Sequence, residues 1–110
     1  MRPVDSNSLS EPALLILLSL APQPRHGFGI LTDIEELSLG RVKLSTGTLY
    51  GALRRMQEDQ WIERFHEPEA AYGRQSYRLS SGGHRVLAAE VSRIEQVTRA
   101  ASTRLAAEKY

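Results

Sequence analysis

The chain has 110 residues, enough for one domain with a modest core. Apolar residues make up 41%, too many for a disordered chain, and a formal net charge of +1 supplies no global attraction to nucleic acid. The absence of cysteine excludes a disulfide framework, a thiol nucleophile and thiolate metal ligands, and suits a cytoplasmic location.

Residues 1–7, MRPVDSN, read as a flexible polar tail. Ser8 and Glu11 fit a capping box with Ser8 at the cap, and Pro12 sits early enough for a helix to accept it. The apolar run from Ala13 to Ala21 spans nine residues, too few to cross a bilayer, so it reads as a core helix and no membrane partner is expected. Pro22 and Pro24 end it. A second helix is expected from about Gly27 to Leu37, with Ile30, Leu31 and Ile34 as its buried stripe, Phe28 and Leu37 as candidate extensions of it, and Asp33, Glu35 and Glu36 on its wet side. Gly40 marks a turn, and residues 41–44, RVKL, alternate as a short strand or an extended link.

A third helix should start at an N-cap on Ser45 and run to about Asp59. Leu49, Ala52, Leu53 and Met56 share one face, while Gly47, Tyr50, Gly51, Arg54 and Glu58 lie largely away from it. Each interior glycine costs about 1 kcal/mol against alanine. Gly51, in mid-helix, therefore needs a reason: close approach of a partner to the outward face, close helix packing, or a tolerated cost. WIERF at 61–65 and QSYRL at 75–79 read as paired strands, Trp61 and Phe65 facing the hairpin core. In the second strand Tyr77 and Leu79 are expected on one face, Ser76 and Arg78 on the other. The long connection between the strands reaches outward. From Ser81 to Tyr110 the chain reads as one helix, in which Leu87, Val91, Ile94, Thr98, Ala101 and Leu105 follow a heptad.

This order predicts an α+β, mostly helical fold: a winged helix-turn-helix over residues 8–80, then a dimerisation helix over 81–110. In such a fold the third helix enters the DNA major groove by its N-terminal end, and the wing touches the backbone or minor groove. Local charge agrees. Arg41, Lys43, Arg54 and Arg55 occur between Leu37 and Gln57 without an acid, as do Arg74, Arg78 and Arg85 between Ala70 and Ala89. The expected DNA contacts are Lys43, Ser45, Thr46, Gly47, Thr48, Tyr50, Gly51, Arg54, Arg55, Arg74 and Arg78, with Arg54 and Arg55 unable to point equally outward. Catalysis finds no motif: His26, His66 and His84 are scattered, His26 reads as a cap or packing residue, and no phosphate loop or nucleophile elbow occurs. No cofactor is expected.

Three blocks resemble the PadR family of bacterial transcriptional regulators: PRHGFGILTDIEE at 24–36, LSTGTLYGALRRMQEDQWIER at 44–64 and GRQSYRLSSGGHRVL at 73–87. The resemblance implies that Ser45, Thr46, Gly47, Thr48 and Tyr50 lie at the DNA-reading end of the recognition helix, that Gly73 and Arg74 shape the wing, and that Tyr77 packs in the returning strand. It also implies a short-form homodimer, a repressor on a palindromic operator, and a small aromatic or hydrophobic effector as a further partner. A winged-helix protein-interaction module without specific DNA binding is the alternative. The chain departs from the family pattern at Thr46 and Gly51, where proline is common, at Gln60, where glycine usually ends the helix, and at Gln75 and Ser76, in place of basic wing residues.

Overall fold

In the computed structural model, which describes residues 9–66 and 75–107, four helices surround a small sheet. Helix α1 spans Glu11–Leu20. Its cap is Ser10, not Ser8: the Ser10 hydroxyl accepts from the Ala13 N–H at 3.2 Å, which places Pro12 in the first turn, where no backbone donor is missed. Leu15, Ile16, Leu17 and Leu20 are buried, so the dense leucine run reflects a helix enclosed on most sides.

Strand β1, Arg25–His26, is a two-residue element that hydrophobic periodicity does not mark. It pairs antiparallel with β3, Gln75–Leu79, which also pairs with β2, Ile62–His66, giving the order β1-β3-β2. The RVKL segment, by contrast, is an extended link: Val42 and Leu44 pack against the core while Arg41 and Lys43 face out. β3 keeps the expected alternation and is the middle strand of the sheet. Ser76, in register with position 26 of β1 and position 65 of β2, is buried along with Tyr77 and Leu79, while Arg78 is exposed. Trp61 precedes β2 and is half-buried against the core. The side chain of Phe65 and the wing connection with Arg74 lie outside the described residues.

Helices α2, Gly27–Leu37, and α3, Thr46–Glu58, end in the same way. After α2, Gly40 N–H donates to Glu35 O and Leu39 N–H to Glu36 O; after α3, Trp61 N–H donates to Met56 O and Gln60 N–H to Gln57 O. Each is a Schellman closure, which needs a left-handed residue just past the cap. Glycine is the usual occupant, yet here the residues are Leu39 at φ 56° and Gln60 at φ 65°. Gly40, also left-handed at φ 80°, stands one position later. The left-handed stop after α3 therefore forms despite the glutamine. Ser38 reinforces the first stop: its buried hydroxyl donates to Ile34 O and accepts from Val42 N–H, both at 2.9 Å.

Helix α4, Ser81–Ala107, runs about 40 Å at 1.5 Å per residue. Ser80 ties its start to the end of α3, donating to Gln60 O at 2.6 Å and accepting from Gly83 N–H at 3.0 Å. Gly83 is required there, since a Cβ would fall 2.0 Å from the Trp61 carbonyl oxygen. Leu87 is only 7% exposed and belongs to the core of its own chain, which removes it from the free heptad surface. Glu90, 2% exposed, accepts from Arg93 at 2.7 and 3.1 Å and from Leu9 N–H at 3.4 Å, joining α4 to the entry of α1. The bond from Arg93 holds its carboxyl below the usual glutamate range. Beyond this latch Val91, Val97 and Leu105 are exposed, and Ile94 is half-buried.

A left-handed backbone costs a non-glycine residue about 1–2 kcal/mol, offset in part by the greater chain entropy that glycine loses on folding. Replacing Gln60 or Leu39 with glycine is therefore expected to raise stability by about 0.5–1 kcal/mol each. Urea denaturation at fixed protein concentration checks this; a fall in midpoint for both variants contradicts the closure geometry.

Candidate nucleic-acid interface

The interface is built around α3. Leu49, Leu53 and Met56 turn into the core, and Ala52 packs against it. That rotation leaves Thr46, Gly47, Tyr50 and Arg54 exposed and Gly51 half-exposed on the other side. At the entry, Ser45 accepts from Thr48 N–H at 3.1 Å, and its hydroxyl donates to the Thr48 hydroxyl at 2.9 Å. Ser45 and Thr48 thus satisfy each other in part, while Thr46 and Gly47 form the open edge of the turn.

The glycines near this face divide into two kinds. A Cβ on Gly47 or Gly51 would meet nothing within 4 Å, so neither serves packing inside the subunit. A Cβ on Gly27 would lie 2.2 Å from the Tyr50 hydroxyl. Gly27 is the first residue of α2, after an N-cap in which His26 Nδ1 accepts from Gly29 N–H at 3.2 Å. The missing side chain lets Tyr50 lie across the start of α2 while staying 40% exposed. The PRHGFG and GTLY blocks are therefore one packing unit, a link that neither block reveals alone.

Arg54 and Arg55 diverge. Arg54 lines a cleft of about 290 Å³ with Tyr50, Arg64 and Tyr77, beside the hairpin. Arg55 stands at a cavity of about 400 Å³ between α1 and α3, walled by Ile16, Leu44, Met56 and Trp61. Arg41 adds less to the basic face than its sequence position suggests, because it forms a two-point ion pair with Glu11, one bond being 2.9 Å. Arg78 is exposed and pairs with Glu63 across the hairpin at 3.1 Å. Lys43 is exposed on the link before α3. Arg64, absent from the sequence-based set, donates to the Gln75 side chain at 3.3 Å from the strand opposite. Its signal is pairing register: a basic residue on β2 opposite Tyr77 faces the same side as α3's outward residues. Tyr77 is pushed above the usual phenol range, first by burial and then by the neighbouring Tyr50, with Arg64 acting in the opposite direction.

Residues 16–89 match the model of the transcriptional regulator PadR-like family. The chain belongs to the PadR-like family. Its membership identifies a transcriptional regulator rather than an enzyme. Among the described residues no group of three or more His, Asp or Glu is placed to hold a metal ion, and no helix is long and apolar enough to cross a membrane. An uncharacterised 37.1 kDa protein in a transposon of Streptomyces fradiae is 35% identical over 82 residues, 74% of this chain; the match spans 22% of that protein's length. Among solved structures, a PadR family transcription regulator from Clostridium difficile R20291 superposes with a TM-score of 0.73 at 21% identity, covering 87% of this chain and 99% of that one. A PadR-like transcriptional regulator from Bacillus cereus gives 0.72 at 22% identity, covering 84% and 89%. These likenesses establish the winged fold with its long last helix.

In this PadR-like chain a Gly27→Ala change is expected to cost little stability, because the atom it strikes is the free end of a tyrosine side chain. It should instead displace the Tyr50 ring. Loss of Tyr50–Gly27 proximity by NMR, with a stability change below about 1 kcal/mol, is the expected outcome; an unmoved ring contradicts the packing unit.

Proposed function

We propose that this regulator is a homodimeric, sequence-specific DNA-binding repressor that reads a palindromic operator and is released by a small aromatic or hydrophobic effector. The winged domain of residues 8–80 reads the DNA, and the helix of 81–110 joins the subunits. The observation that carries this reading is the open first turns of α3: a Cβ on Gly47 or Gly51 would have no atom within 4 Å, and exposed Thr46 and Tyr50 stand beside them. A helix that forgoes two side chains on its outward face lets its backbone come close to base edges and phosphate.

The roles divide by position. Ser45, Thr46, Gly47, Thr48, Tyr50 and Gly51 meet the groove, Lys43 and Arg54 the phosphates beside it, and Arg74 and Arg78 the backbone under the wing. Arg55 faces the α1 side and takes the lesser part in DNA contact. Val91, Ile94, Thr98, Ala101 and Leu105 of α4 supply the apolar seam between subunits. The 400 Å³ cavity walled by Leu44, Met56 and Trp61 supports the effector reading, since its wall includes α3 itself and a ligand there bears directly on the helix.

Selection of duplexes from a random library by the purified full chain tests the proposal. The expected result is an enriched inverted repeat, with half-sites about 34 Å apart, whose affinity falls steeply with salt. Equal weak binding to every duplex contradicts a specific regulator.

A further inference from the structure

The cleft between α3 and the hairpin contains a group that the fold does not use. Tyr77 is 6% exposed as a residue, but its hydroxyl makes no hydrogen bond among the described residues and, since no buried side-chain oxygen there is left without a partner, it opens to the cleft. It lines the cleft with the Tyr50 ring, and two guanidinium groups, Arg54 from α3 and Arg64 from β2, stand at the same opening. Arg64 spends one nitrogen on Gln75. Neither arginine forms an ion pair among the described residues, although Glu58 also lines the cleft.

We propose that this cleft seats one DNA backbone phosphate, with Arg64 as its main cation and the Tyr77 hydroxyl as a second donor to it. The inference rests on the DNA-binding reading and names the site that fixes α3 in the groove. Phosphate is the fitting occupant for three reasons. The Tyr77 hydroxyl opens into the cleft with its donor unspent on the fold. Two arginines supply donors in planar forks that match phosphate oxygens. The cleft also opens beside the outward face of α3, so a duplex docked on that helix carries its backbone past the opening. The contact carries no base information; it positions the helix.

The test uses the full-length protein and a duplex that the wild-type chain selects from a random library. Arg64→Ala is expected to weaken binding to the selected and a scrambled duplex by the same factor, about tenfold, and to reduce the slope of log affinity against log salt by about 0.9. Arg64→Lys retains the slope, and Tyr77→Phe weakens binding a few-fold without moving it. Replacing single phosphates by neutral methylphosphonates is expected to reveal one position per half-site that matters to the wild type and is silent in Arg64→Ala. An unchanged slope, or no such position while sequence selection persists, overturns the phosphate seat and leaves the regulator reading standing. A wild-type chain that selects no duplex overturns both.

Discussion

The rotation of α3 about its own axis is the constraint on which everything else depends. Leu49 and Leu53 are withdrawn from solvent almost completely, and Met56 nearly so. Truncating such a side chain costs about 2–5 kcal/mol, so the helix cannot turn its other face inward. Once those residues are buried, Gly47, Tyr50, Gly51 and Arg54 have only the outward side. The surface offered to a partner is thus set by the core, and a loss of binding in a core variant says nothing about contacts.

Around that fixed helix, absence of side chains is used in two opposite ways. Gly27 and Gly83 are closed positions: one receives the Tyr50 hydroxyl, the other the Trp61 carbonyl. They weld α2 to α3 and α4 to the α3–β2 turn. Gly47 and Gly51 are open positions, and inside the subunit they gain nothing for their helix cost. The packing explanation for Gly51 therefore fails within one chain, which leaves the approach of a partner or a tolerated cost. The tether through Ser80, the bond from Leu9 N–H to Glu90 and the burial of Leu87 hold the base of α4 to the same body.

Much of this is legible in the sequence because periodicity reports burial. The bounds of α2, the Ser45 cap, the buried face of α3 and the extent of β3 all follow from residue spacing and capping chemistry. What escapes is what periodicity cannot encode. Strand β1 is two residues long and exists only because β3 offers it an edge. Ser76 alternates with exposed Arg78 yet is buried where β3 lies between β1 and β2. The cap of α1 falls on Ser10 rather than Ser8, which sets Pro12 at N2, where no N–H is needed; a cap on Ser8 would put it at N4, whose N–H closes the first helical bond. The acid near Arg41 is thirty positions away, in Glu11, so a count of local charge overstates the basic face. Leu87 fits the heptad but serves the core, because the start of α4 lies against the winged domain. Arg64 is hidden by its acidic neighbour Glu63 until the register places Arg64 opposite Tyr77.

The chain has no native cysteine, so one introduced thiol reports on one position per subunit. A spin label at Gly47→Cys, read by pulsed dipolar spectroscopy on the DNA-free protein, measures the separation of the two α3 entries directly. The expected result is a label that attaches readily and a distance centred near one turn of the double helix, about 34 Å. A thiol that resists labelling in the folded protein, or a distribution with no population near that spacing, contradicts the outward, paired presentation of α3.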